Sequence, residues 1–215
     1  MTATTPTGTA LHTFVRATTS DRENVIAALT GGFSDDVLVA GWMFPDPETY
    51  AQHAGGWFAC YTDFALEHGY VWTTGDATAA LVAMPSEAWQ RAQHDEDLKD
   101  RVAKATGPCI ERVAALDKVF AERHPGAPDH IYFAMGGIQP EHRNKGLGTH
   151  MLQNAFELAD RMGLACYAEA SCERNARLWD RIGLRVTGAP IRVPGYDSDM
   201  FSLWRPPSPP VPDAE

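Results

Sequence analysis

Hydrophobic and polar positions alternate with two different periods along the chain, and the switches between them mark the elements. HTFVRAT, residues 12–18, predicts a first strand. SDRENVIAALTGG, residues 20–32, predicts a helix. Val25, Ile26 and Leu29 share a face, Ser20 and Glu23 have capping-box spacing, and Gly31 can end it. Residues 44–69 predict a second helical region, with Asp46 as cap and Pro47 in the first turn, weakened at Gly55-Gly56. YVWTTGDATAALVAM, residues 70–84, predicts a hairpin turning at Thr74-Gly75-Asp76. Residues 86–123 predict helix broken at Thr106-Gly107-Pro108, and 124–129 a loop. HIYFAMGGI, residues 130–138, predicts a buried strand. Met151, Leu152, Ala155, Leu158, Ala159 and Met162 stripe a helix over 148–162. LACYAEA, 164–170, predicts a strand, 175–182 a short helix, and LRVTG and DMFSLWR two last strands. Strands and helices intermixed in this way predict one mixed α/β domain over 11–205. Residues 1–10 are expected to be a flexible polar tail and 206–215 a Pro-rich one.

Composition narrows the classes. A chain of 215 residues with 44% hydrophobic and 21% charged residues can bury a sizeable core. Its net charge of -10 argues against a nucleic-acid partner, though not against a local basic pocket for a small anion. Cys60, Cys109, Cys166 and Cys172 show no CxxC spacing and read as free thiols of a reducing compartment. No run approaches the ~18 apolar residues of a membrane span, and no basic start leads into an apolar run. A cytoplasmic location and no membrane partner are therefore expected. The eight histidines form no HExxH and no ligand spacing, so no metal is expected.

One junction carries chemistry. QPEHRNKGLGTHM, residues 139–151, joins the apolar strand to the striped helix. A helix start offers about four unpaired N–H groups and roughly half a positive charge, which suits an anion. Gly146 and Gly148 open the backbone, and Arg143 and Lys145 add charge. There is no GxxxxGK[ST], and Met151 stands where a dinucleotide fingerprint needs its third glycine. Taken by itself, the loop also fits a plain helix start with a solvated basic edge.

Ile138, Pro140, Arg143, Gly146 and Gly148 stand at the positions of the acyl-CoA motif of the GNAT superfamily of N-acyltransferases, a hydrophobic-x-Pro strand end, [RQ]-x-x-G-x-[GA], then helix. IQPEHRNKGLGTHML resembles that motif. NARLWDRIGLRVTG resembles a second family segment through Asn175, Trp179, Gly183 and Leu184. The closer likeness is to the puromycin N-acetyltransferase-like branch, over residues 130–188 and more faintly over FSDDVLVAGWMFPD. The resemblance implies a central, mostly antiparallel mixed sheet flanked by helices, and acetyl-CoA as co-substrate. It implies pantetheine contacts from Met135, Gly137 and Ile138, on a strand that splays from its neighbour. Gly136-Gly137 would weaken pairing there. Pyrophosphate contacts fall to Arg143, Asn144, Lys145, Gly146, Leu147, Gly148 and Thr149, and Asn175 would bond the cofactor near its arm. Many relatives dimerise, and the last strands could pair across a homodimer.

Direct transfer to an amine needs a base and an oxyanion donor, the latter a backbone N–H near Ile138. Glu169 is the candidate base, the one carboxylate at the end of an otherwise apolar strand, with glutamate also at the equivalent place in puromycin-type relatives. A glutamate simply reaching solvent is the alternative. Helix 175–182 lacks the tyrosine that many relatives use as acid, leaving Tyr167, Tyr196 or an unaided thiolate. A nucleophilic Cys166 or Cys172 is a minor alternative. Phe33, Asp35, Asp36, Trp42, Phe44, Asp46, Tyr50, Trp57, Phe58 and Tyr61 are candidate acceptor walls, or core and caps. The expected activity is acetylation of a small primary amine, an antibiotic or metabolite. The alternatives are a protein lysine or N-terminal acetyltransferase, a non-catalytic acyl-CoA sensor and a nucleotide-binding module.

Overall fold

The computed structural model describes residues 13–208. Its strands are β1 (Val15–Arg16), β2 (Tyr70–Thr73), β3 (Ala79–Pro85), β4 (His130–Ile138), β5 (Ala165–Ala170), β6 (Arg185–Ile191) and β7 (Met200–Arg205). Its α-helices are α1 (Arg22–Gly32), α2 (Pro47–His68), α3 (Ser86–His94), α4 (Glu96–Thr106), α5 (Ile110–Arg123), α6 (Leu147–Arg161) and α7 (Glu173–Arg181). The strands form one sheet in the order β1-β2-β3-β4-β5-β7-β6. Every pairing is antiparallel except β4 with β5. The expected mostly antiparallel mixed sheet is thus what forms. The expected tail over 1–10 lies outside the described residues, as do 209–215 of the other. Ser208, within that second tail, is tied to the body: its N–H donates to Asp160 at 2.8 Å.

The sheet separates two apolar layers. One holds α1 to α5 against Val82, Tyr132, Met135 and Tyr167. The other holds α6 and α7 against Leu81, Phe133, Cys166 and Ala168. β3, central and covered on both faces, is buried from Ala79 to Met84, which is why it reads as a continuous apolar run.

Several local expectations shift. The Ser20–Glu23 capping box does not form. The Asp21 carboxylate instead accepts from the Thr18 N–H at 2.8 Å and the Thr18 hydroxyl at 2.9 Å, and a 3-10 turn over Thr19–Asp21 precedes α1. The glycine pair at 55–56 does not interrupt α2. Gly56 lies against α4, where an added Cβ would come within 3.2 Å of the Ala105 Cβ, so the missing side chain serves a close helix crossing. The long helical stretch breaks twice, at the expected Gly107 (φ +50°) and also at Asp95, whose carboxylate caps α4 through the Leu98 N–H at 2.9 Å. Asp46 caps α2 as expected, accepting from the Thr49 N–H at 2.9 Å.

Candidate active site

The parallel pairing of β4 and β5 is short. It runs from His130 opposite Ala165 to Phe133 opposite Ala168 and then stops. Beyond it β4 stays with β3 and β5 stays with β7. The strands part where β4 carries a bulge: Phe133 faces Ala83 and Met135 faces Val82, leaving Ala134 as the extra residue. The backbone of 134–138 that faces β5 therefore has no strand partner, and Met135, Gly137 and Ile138 lie along that edge. The glycine pair has another cause than the bulge. An added Cβ on Gly137 would sit 3.1 Å from the Leu29 Cα, and one on Gly32 would sit 2.6 Å from the Gly137 Cα and the Ile138 N. α1 crosses β4 backbone to backbone, and these glycines permit it.

The loop after β4 turns sharply. Asn144 (φ +61°) and Gly146 (φ +82°) are left-handed, and Gly146 is the N-cap of α6. A Cβ on Gly146 would meet nothing within 4 Å, so open space lies in front of it. Leu147, Gly148 and Thr149 form the first turn of α6, whose N–H groups have no acceptor within the helix. Asn144, Lys145 and Thr149 are exposed. This cradle suits a phosphate.

Arg143 takes a different position from its neighbours. Its guanidinium donates to both oxygens of Asp35, at 2.6 and 2.8 Å, to the Gly32 carbonyl at 2.7 Å and to the Ile138 carbonyl at 3.1 Å. The fork thus straps the loop to the end of α1, and the ion pair holds the Asp35 carboxyl below its usual range. Asn175 is likewise engaged: its amide donates to Ser171 Oγ at 2.8 Å and to Asp36 at 3.4 Å. Ser171 Oγ donates to Asp36 at 2.7 Å, and the Tyr196 hydroxyl to the Ser171 carbonyl at 2.7 Å. Asp36 also caps a five-residue π-helical segment, Val39–Met43, through the Leu38 and Val39 N–H groups at 3.0 Å.

Glu169 lies just past the point of divergence, on the face of Tyr167 and Tyr132. The phenols of those tyrosines favour its charged form. The residue is half-buried, while its Oε1 is sealed and has no partner. Burial pushes the carboxyl up to about 7, against the opposing pull of the two phenols. A carboxyl poised near neutrality with an unclaimed oxygen suits a general base.

Cys166 cannot serve as nucleophile beside it. It projects to the opposite face, is fully buried, and its thiol is pushed up to about 12. Tyr167 bonds Ser202 Oγ at 3.2 Å, and burial drives its phenol upward. Tyr196 is also held high, at about 12. It lines a cavity of about 610 Å³ between the start of α7 and the β6–β7 loop, with Glu173, Asp199 and Phe201.

The candidate acceptor wall divides. Phe44 and Phe58 are core, Asp36 and Asp46 are caps, and Asp35 belongs to Arg143. Tyr50 bonds the Thr30 carbonyl at 2.6 Å. Phe33 and Trp42 remain half-exposed, with Trp42 against Tyr196 at 6.0 Å between ring centroids. Tyr132 and Asp117, both on this face, escaped the sequence reading. Nothing local to either position distinguishes it from core or surface.

The profile described as the acetyltransferase (GNAT) family matches residues 57–184. Among solved structures, the chain is similar to a histone acetyltransferase HPA2 and related acetyltransferase from Corynebacterium glutamicum. The TM-score is 0.61 at 20% identity, covering 93% of this chain and 98% of that one. It is also similar to the Drosophila melanogaster polyamine N-acetyltransferase that forms N-acetylagmatine, at TM-score 0.60 and 18% identity, covering 90% and 99%. A mosquito arylalkylamine N-acetyltransferase like 5b matches at TM-score 0.56 and 12% identity, covering 90% and 99%. At such identities the likeness is one of fold.

Proposed function

Because the chain belongs to the acetyltransferase (GNAT) family, with acetyl-CoA as co-substrate, we propose that it acetylates the primary amine of a small molecule by direct transfer. The observation that carries this reading is Glu169, a carboxyl near neutrality with a sealed, unpartnered Oε1 at the mouth of the β4–β5 split. Acetyl-CoA supplies an activated acetyl thioester. The chain's residues do the rest. The first turn of α6 and the open loop at Gly146 receive the pyrophosphate, and the free edge of 134–138 receives the pantetheine arm like an added strand. A backbone N–H near Ile138 faces the developing oxyanion. Glu169 takes the proton that the amine loses as its nitrogen bonds to the acetyl carbon, and the carbon–sulfur bond breaks to release CoA as its thiolate. Because Arg143 and Asn175 are already engaged, their contribution is to fix the loop and the α7 start; the phosphate contact falls to the backbone around Gly146.

The half-buried setting of Glu169 favours a small acceptor over a protein segment. Two of the fold neighbours are a polyamine and an arylalkylamine N-acetyltransferase, which accords with an amine. Within that class, an amine with an apolar or aromatic body suits the half-exposed rings of Phe33 and Trp42.

The test is thermal unfolding with acetyl-CoA, CoA, ATP and NAD on wild type and Gly146→Trp, followed by thiol release with a panel of amines and lysine peptides. At a hundredfold excess over Kd a ligand contributes about 2.7 kcal/mol, or about 5–10 °C for a chain of this size. A shift with the CoA species, lost in the variant, with turnover of small amines, is the expected result. A larger shift with ATP or NAD, or turnover of peptides alone, would overturn the reading.

A further inference from the structure

Met200, Ser202 and Trp204 alternate onto one face of β7, the face of the α1 to α5 layer. The outer two are large and apolar, so Ser202 sets a single half-buried hydroxyl into an apolar stripe. It stands directly opposite Glu169 in the β5–β7 register, where paired side chains have Cβ atoms about 4.5–5.5 Å apart. Tyr167, two residues before Glu169, shares that face, and its own register partner is Trp204, one row away. Its ring nevertheless reaches along the sheet into the Glu169 row, because its hydroxyl meets Ser202 Oγ at 3.2 Å. A carboxyl, a phenol and an aliphatic hydroxyl are thus brought to one place, just past the point where β4 and β5 part.

A hydroxyl in an apolar stripe is costly unless it is bonded, and alanine would fill the position without that cost. Giving the phenol somewhere to donate does not explain the serine, since a phenol beside a carboxylate already has an acceptor. What the phenol lacks there is a donor to its own oxygen. With Ser202 donating to Tyr167 Oη and Tyr167 donating to the carboxylate, the two bonds polarise each other, and the second is charge-assisted. Once Glu169 has taken the proton of the amine, the chain can reverse, the acid donating to Tyr167 and Tyr167 to Ser202. Either hydroxyl of this pair can be the donor, so both directions are open.

We infer that Ser202 is a positioning residue for the transfer: acting through Tyr167, it holds a donated proton on the Glu169 carboxylate and so keeps the base in its charged form. This assignment rests on the reading of Glu169 as the base. The other titratable groups on this face are Tyr132 and His130 of β4, Tyr61 of α2, Asp117 of α5, His124 beyond it, Asp36 before the π-helical segment and Tyr196 of the β6–β7 loop. All are the same in every protein compared below, so the differences report the Ser202 hydroxyl.

The experiment follows wild type, Ser202→Ala, Ser202→Thr and Thr187→Val from pH 5 to 9.5, with Glu169→Gln made in the wild-type and Ser202→Ala backgrounds. One readout is urea unfolding, which needs no acceptor; the other is thiol release with acetyl-CoA and 2-phenylethylamine. The stability difference made by Glu169→Gln should level off about half to one pH unit higher in the Ser202→Ala background. The ratio of kcat/KM, Ser202→Ala to wild type, should be down about three- to tenfold below pH 6.5 and return to near unity above pH 9. Ser202→Thr should keep the wild-type profile. So should Thr187→Val, which removes an exposed hydroxyl from the far side of the same row. If Ser202→Ala lowers stability equally at every pH and leaves the ratio flat, Ser202 serves only the Tyr167 phenol, and the inference fails while the amine reading stands. A shift of the same size in Ser202→Thr or Thr187→Val would overturn it as well. If Glu169→Gln leaves kcat/KM and its pH dependence intact, the reading of Glu169 as base falls, and this inference with it.

Discussion

Replacing Glu169 by glutamine should make the protein more stable and nearly inactive, and the stability gain should depend on pH. In the folded state the carboxyl titrates at about 7, against an ordinary 4.5. At ~1.4 kcal/mol per tenfold change in acidity, that difference corresponds to about 3 kcal/mol of preference for the neutral acid, or about 2 kcal/mol after discounting for partial solvent access. The sign follows from proton binding. Between about pH 4.5 and 7 the folded state holds a proton that the unfolded state has released, so stability falls as pH rises through that window. Below about pH 4 both states are protonated, and wild type and Glu169→Gln should unfold alike. Above about pH 7.5 the variant should be the more stable by about 2 kcal/mol, or roughly 4–8 °C. Asp117, which titrates nearby, is present in both proteins and cancels. The assay is urea unfolding from pH 4 to 9. In parallel, kcat/KM of wild type should rise with an apparent pKa near 7, and the variant should lose about 10²–10⁴-fold at pH 8. A stability difference that does not vary with pH, or a variant less stable than wild type at pH 8, would refute the account of Glu169 as a desolvated carboxyl.

Other changes probe other contacts. Gly32→Ala forces a Cβ to 2.6 Å from the β4 backbone; it should cost about 1–3 kcal/mol in urea unfolding and raise KM for acetyl-CoA by displacing the strand edge. Asp160→Asn breaks a two-bond pair with Arg205, at 2.8 and 2.7 Å, in which both side chains are largely buried. It should cost about 1.5–3 kcal/mol at pH 7. Since the pair holds the Asp160 carboxyl low, that contribution should vanish as pH falls below about 4. A maleimide should label native protein at Cys172 alone, with Cys60, Cys109 and Cys166 reacting only after unfolding; rapid labelling of Cys166 would contradict its assigned face.

What the sequence revealed was local in range. The strand–loop–helix around 139–151 was legible because its parts lie within a dozen residues, and glycine, cation and helix start each leave a mark there. Glu169 was legible as a lone carboxylate in an apolar strand. Three features were not, each because the partner lies far along the chain. Gly137 and Gly56 look like weak points in their elements, yet each accommodates a neighbour, α1 in one case and α4 in the other. Arg143 looks like a free cation until Asp35, more than a hundred residues away, is folded against it. Asp117 looks like a surface charge on a helix until the Tyr61 hydroxyl, more than fifty residues away, is brought to it. The misplaced cap at Ser20 differs from these. Two acidic residues, Asp21 and Glu23, follow within three positions, and the chain uses the nearer one from two residues earlier.

The neighbouring residues Asp35 and Asp36 hold opposite sides of the opening between β4 and β5. Asp35 grips Arg143 on the loop leaving β4, and Asp36 grips Ser171 and Asn175 on the chain leaving β5. The two anchorages are separated by a single peptide unit, 3.8 Å from Cα to Cα. That unit acts as a spacer gauge: it sets how far apart the strand ends stand before any ligand arrives, and it transmits a push on one side to the other with almost no slack. In this chain the width of the cleft is a matter of loop length, counted in whole residues, and not of side-chain size.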